Sequence, residues 1–154
     1  MRLYLDTSVL SALFDVRNPE RAEITREFFE ARSSDRLIVS DLTLAEIAAT
    51  PREALRQAMA GVAGRYETVA VVPEADRLAS RYIEAGAVPE VFSADAYHVA
   101  VAVVSKADVV VSWNFRHLVR RTTRDIVNMV NTMHGHARVE IAAPGELLQA
   151  GGEG

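Results

Sequence analysis

The chain has 154 residues, 49% of them hydrophobic and 25% charged, the balance of a soluble globular protein large enough for one sizeable core. It contains no cysteine, so disulfides and thiolate metal sites are excluded, and any metal needs oxygen or imidazole ligands. A net charge of −4 argues against a generally basic nucleic-acid binder, and apolar runs such as Val99–Val104 are too short to span a bilayer.

Leu3–Leu5 reads as the first strand, because large apolar and aromatic side chains suit a pleated, buried segment. It stops abruptly at Asp6, Thr7 and Ser8. Two readings of Asp6 stand side by side. Asp6 or Thr7 caps a helix over Val9–Phe14, or Asp6 is a carboxylate at the carboxyl end of a parallel strand, where open α/β sheets place ligands. Asn18 and Pro19 introduce a second helix over Glu20–Ala31. Leu37–Val39 is a second strand, and Ser40 and Asp41 cap a helix that carries Leu44, Ile47 and Ala48 towards Pro51. A helix over Arg52–Ala63 ends near Gly64, and Val69–Val72 forms a third strand that Pro73 stops.

Glu74–Ala85 is a helix with Leu78, Tyr82 and Ile83 on one face and Gly86 as its stop. Ser93 caps a strongly apolar helix from Ala94 to Ser105. Asp108–Ser112 is a valine-rich fourth strand, followed directly by Trp113 and Asn114. Helical segments are expected near His117–Arg121 and over Asp125–Met133, a fifth strand over Val139–Ile141, and a terminal turn from Pro144. Strands alternating with helices imply right-handed crossovers, and strands without polar alternation imply a sheet buried on both faces. The expected fold class is α/β, a three-layer α/β/α sandwich with a central parallel sheet of four to five strands. One domain is expected over residues 1–148, with a frayed tail over 149–154.

In that architecture Asp6, Glu46, Asp95 and Asn114 fall at one edge of the sheet. Taken singly, Asp6 is a cap, Glu46 a solvated helix residue, and Asp95 a first-turn acid that complements a helix dipole. Taken together, like charges in one cleft repel, and a divalent cation offsets the repulsion. Oxygen ligands without cysteine or a histidine cluster point to Mg²⁺ or Mn²⁺. His98, three residues after Asp95, reads as a packing residue on an apolar helix. Arg116, Arg120, Arg121 and Arg124, with His117 beside them, read either as a solvated helix face or as a surface that meets phosphates.

The segments LYLDTSVL, LAEIAAT, SADAYHVAVAV and ADVVVSWNFRHLV together resemble the four acidic-site motifs of PIN-domain ribonucleases, and more closely the toxins of VapBC-type toxin–antitoxin pairs. The resemblance runs from Met1 to about Leu148. It implies that Asp6, Glu46 and Asp95 hold the metal, that Ser8 supports the first acid, and that Asn114 stands where the family has its fourth acid. Asn114 is a departure, since it offers a carbonyl oxygen and no charge.

The expected function is a Mg²⁺- or Mn²⁺-dependent endoribonuclease, the toxin of a toxin–antitoxin pair, with Asp6, Glu46, Asp95 and Asn114 as its catalytic set. Ser8, Arg116, His117, Arg120 and Arg121 are the expected RNA contacts. The alternative is a catalytically inactive PIN-fold module that binds RNA or protein. Expected partners are RNA, a cognate antitoxin and a second copy of the chain. No membrane is involved, and the expected location is the cytoplasm.

Overall fold

A computed structural model describes residues 1–151, and of the tail expected over 149–154 the last three residues lie outside the described ones. Five strands form one parallel sheet: β1 (Arg2–Leu5), β2 (Arg36–Ser40), β3 (Glu67–Val69), β4 (Val109–Val111) and β5 (Glu140–Ala142), in the order β3-β2-β1-β4-β5. Tyr4 pairs with Ile38 on one side and Val110 on the other, so β1 is central. The chain runs outward from β1 to β3, then returns to lay β4 on the other flank of β1. The switch point between β1 and β4 leaves a crevice at their carboxyl ends, and Asp6 and Asn114 both follow those ends.

Helices α1 (Thr7–Ala12), α2 (Pro19–Ala31), α3 (Asp41–Ala48), α4 (Glu53–Ala63), α5 (Pro73–Glu84), α6 (Ser93–Val104), α7 (Arg121–Met133) and α8 (Pro144–Gly151) complete the described chain. Successive strand residues point to opposite faces, which separates two cores. Leu3, Leu5, Val39, Val109 and Val111 pack with Val9, Leu10, Phe28, Ile47 and Met59 from α1 to α4. Tyr4, Ile38, Val110 and Ile141 pack with Leu78, Tyr82, Val99, Val103 and Val127 from α5 to α7. The layers are therefore α/β/α, as expected.

Three local expectations need correction. The third strand is Glu67–Val69 rather than Val69–Val72, because its partner β2 ends at Ser40, opposite Val69, where α3 begins. Ser93 does not cap α6. A single 3₁₀ turn over Glu90–Phe92 runs directly into it, and Phe92 is its cap residue without a side-chain bond. The helix expected near His117–Arg121 does not form before Arg121, where α7 starts, because the Leu118 and Val119 amides both donate to the Asn114 carbonyl and Arg120 is extended. Gly86 does end α5: it adopts φ +84°, and the Ala87 amide reaches back to the Tyr82 carbonyl.

Candidate active site

Asp6 is both a helix cap and a strand-end carboxylate. Its Oδ1 accepts the Ser8 amide at 3.0 Å and the Ser8 hydroxyl at 2.5 Å, capping α1, and its Oδ2 accepts the Ser112 hydroxyl at 2.5 Å. Only 4% of Asp6 is exposed. Burial pushes its carboxyl above the ordinary value, although the Ser112 and Ser8 hydrogen bonds oppose the shift.

Ser112 continues the chain of contacts, since its Oγ also accepts the Asn114 amide at 3.0 Å. The Asn114 side-chain Nδ2 donates to Asp95 Oδ2 at 3.2 Å. Asp95 lies in the first turn of α6, and its carboxyl is also raised, first by burial and further by the charge of Asp6, with His117 acting in the opposite sense. One turn along, His98 Nε2 donates to Glu46 Oε1 at 2.6 Å, and Thr7 Oγ1 donates to the same oxygen at 2.6 Å. Burial alone would raise the Glu46 carboxyl, but the hydrogen bonds from His98 and Thr7 outweigh it and hold the group below its ordinary value. Asp6, Ser112, Asn114 and Asp95 thus form one hydrogen-bonded run and His98, Glu46 and Thr7 another, joined into a ring by the turn of α6 from Asp95 to His98 and by the peptide bond from Asp6 to Thr7, at the ends of β1 and β4 and on α1, α3 and α6.

The structure brings Asp6, Glu46, Asp95 and Asn114 to this ring. Asn114 does not present its carbonyl there, because Oδ1 accepts the His117 amide at 2.9 Å. The Ser8 hydroxyl donates to Asp6 and accepts the Trp113 amide at 2.9 Å. His117 stacks on the half-exposed Phe92, with ring centroids 4.2 Å apart. Arg116, Arg120 and Arg121 are exposed, and Arg120 lines a separate cavity with Glu90, Ser93 and Tyr97 that is not lined by Asp6, Glu46 or Asp95. Arg124 pairs with Glu146 at 3.3 Å.

Four ring or support residues were not legible as such. Thr7 follows Asp6 and Ser112 lies two residues before Asn114, and a hydroxyl at those places is their only signal in the sequence. His98, three residues after Asp95, reads in the sequence as packing. Tyr4 looked like an ordinary strand residue. Its phenol instead lies 2.6 Å from His98 Nδ1 and 2.7 Å from Ser40 Oγ, and burial raises its pKa well above the ordinary value, so it stays protonated.

Among the described residues no three His, Asp or Glu side chains stand close enough to form a ready metal cage. The donor chemistry nevertheless fits a hard cation that keeps several waters and takes one or two carboxylates directly. No Arg or Lys pairs with Asp6, Glu46 or Asp95 among the described residues, and Asp95 Oδ1 and Glu46 Oε2 accept no hydrogen bond there. No described helix is long and apolar enough to cross a membrane.

The structure is similar to that of VapBC2 from Rickettsia felis bound to a DNA fragment from their promoter, with a TM-score of 0.61, 11% identity, and coverage of 93% of this chain and 98% of that one. It is also similar to VapC20 from Mycobacterium tuberculosis, a toxin that cleaves the sarcin–ricin loop, with a TM-score of 0.53, 14% identity, and coverage of 89% and 98%. At these identities the likeness is one of fold. No curated protein sequence matches the chain. The PIN domain model matches residues 3–121, well over half of the sequence, and the chain belongs to the PIN domain family.

Proposed function

We propose that the protein is a Mg²⁺- or Mn²⁺-dependent endoribonuclease and the toxin of a toxin–antitoxin pair. The observation that carries this reading is the ring itself: Asp6 and Asp95 are linked through Ser112 and Asn114, Glu46 is held beside them by His98 and Thr7, and no Arg or Lys among the described residues pairs with any of the three acids. Asp6, Glu46 and Asp95 would hold the ion. When bound, such an ion polarises a phosphate and lowers the pKa of an attacking water. Asp6 has both oxygens occupied by hydroxyl and amide donors, so it is the fixed member of the set. Orientation of a water falls to Asp95 Oδ1 or Glu46 Oε2, the oxygens left open. Exposed Arg116 and Arg121 meet the RNA backbone by charge, which gives affinity without reading sequence. An accessible single-stranded or looped RNA is the proposed substrate.

The likeness to VapBC2 and VapC20 supports an antitoxin partner. Two copies are proposed to pair through apolar helix surface, of which exposed Met129 and Met133 on α7 form a part. One observation favours an inactive binding module instead: the amide of Asn114 faces Asp95 where a fourth acid would add charge. Incubation of purified protein with single-stranded RNA separates the two. Cleavage that requires Mg²⁺ or Mn²⁺ and is lost in Asp95→Asn supports the nuclease, whereas RNA binding without cleavage supports the module.

A further inference from the structure

We infer that His98, braced by Tyr4, is a positioning residue that fixes Glu46 in the site with one carboxylate oxygen left open. The inference rests on Glu46 serving as a metal ligand. A carboxylate accepts and does not donate, so His98 Nε2 carries the proton in its 2.6 Å contact with Glu46 Oε1. The opposite ring nitrogen, Nδ1, is 2.6 Å from the Tyr4 hydroxyl. Both ring nitrogens are therefore occupied, and the imidazole, only 3% exposed, has no rotational freedom.

The Tyr4 hydroxyl does a second thing. It also contacts Ser40 Oγ, and Ser40 is the N-cap of α3, the helix that carries Glu46. One phenol on the central strand thus ties the start of α3 to the ring on α6 that grips the Glu46 carboxylate. Glu46 is otherwise a half-buried side chain with several rotatable bonds, whose ordering costs rotamer entropy. Thr7 and His98 both bond Oε1, so Oε2 is the oxygen left without a hydrogen bond among the described residues. Purely structural satisfaction of a buried histidine would not require a contact with an acid of the site.

Two measurements test this. In metal-free protein labelled with ¹⁵N-histidine, His98 is expected to show a protonated, exchange-protected Nε2 whose signal shifts in Glu46→Gln. An unprotonated Nε2, or one unmoved by Glu46→Gln, overturns the inference. In Mn²⁺ titrations, His98→Ala is expected to weaken binding by about 10- to 100-fold, the usual effect of removing a group that orients a ligand. His98→Gln, which keeps a donor, is expected to restore most of that affinity, and Tyr4→Phe to fall between. The Ala variant is expected to lower kcat with little change in KM for RNA. Equal Mn²⁺ affinity in folded His98→Ala and wild type overturns the inference, even if melting temperatures differ. If the wild type takes up no Mn²⁺, the proposed function fails instead, and the ¹⁵N spectra alone decide whether His98 grips Glu46.

Discussion

Asn114 is bonded to Asp95 through its amide nitrogen, at 3.2 Å, so the residue at the fourth position of the site is a donor to the third acid. Asn114→Asp replaces that donor with a charge facing another carboxylate. At about 4 Å such a pair repels by about 1 to 4 kcal/mol, from bulk water to a protein surface. The metal-free variant is expected to melt at a lower temperature than wild type. With Mn²⁺ the same crowding becomes an additional ligand, and affinity or stoichiometry is expected to rise. Calorimetry and melting curves with and without Mn²⁺ check both halves. Unchanged Mn²⁺ binding would place position 114 outside the coordination shell.

Asp95→Asn and Asp6→Asn are expected to abolish metal-dependent RNA cleavage while the fold persists. Asn is as good a cap as Asp, and the Ser8 and Ser112 hydroxyls that face Asp6 can accept as well as donate. Ligation, by contrast, needs the negative charge. The loss should exceed the about 10- to 100-fold that follows from disturbing groups behind the ligands. Circular dichroism alongside a cleavage assay is sufficient, and full activity in either variant would remove that residue from the site.

The pH dependence of the metal-free protein has a definite sign. Asp6 and Asp95 are raised in the folded state, so their protonated forms are favoured by folding. Their stabilising contribution is present below the unfolded carboxylate pKa and is lost as pH rises through the folded values. Glu46 is lowered, so its contribution is present above its unfolded pKa and is lost only as pH falls through its folded value. As pH falls from the raised folded values to the ordinary carboxylate pKa, the metal-free protein is therefore expected to gain stability from Asp6 and Asp95. Asp95→Asn should flatten that gain. Thermal melts in chelator across the range measure it, and a wild type that loses stability steadily from neutrality downward would contradict it.

The sequence made the architecture legible where apolar runs end in polar residues. Leu3–Leu5 stopping at Asp6 marked both a strand and the site, and Asp6 proved to be cap and strand-end carboxylate at once. What stayed hidden depends on pairing partners far away in the chain. The end of β3 is set by Ser40 on β2 and not by its own valines. The use of Asn114 is set by His117 and Asp95, which claim opposite ends of its amide. His98 looked like packing because its neighbours Val99 and Ala100 are core, and only the fold shows that Glu46 and Tyr4 bracket its ring. Local pattern encodes elements, whereas hydrogen-bond partners 36 to 94 residues apart do not show in it.

A last prediction concerns the antitoxin. Leu13 and Phe14 at the end of α1 and Val62 on α4 line a surface groove that Arg26 and Arg65 border. Phe14 is 37% exposed, and this apolar floor with a basic rim suits an amphipathic segment that carries acids along its edges. Gly61 lies in the same groove, and a Cβ built there meets nothing within 4 Å. Its backbone is helical, so Gly61→Leu introduces no strain and should gain up to about 1 kcal/mol of helix propensity. The leucine would nevertheless fill the space that the partner needs. Phe14→Glu acts differently, placing a charge against the apolar face of the partner. Both variants are expected to fold and to retain nuclease activity, because the groove shares no residue with the carboxylate ring. Both are expected to lose inhibition by the antitoxin in a cleavage assay with a titrated partner. A stabilised Gly61→Leu variant that the antitoxin still inhibits at wild-type concentrations would move the docking site elsewhere. An active wild-type protein that its cognate antitoxin fails to inhibit would remove the toxin reading and leave only the nuclease.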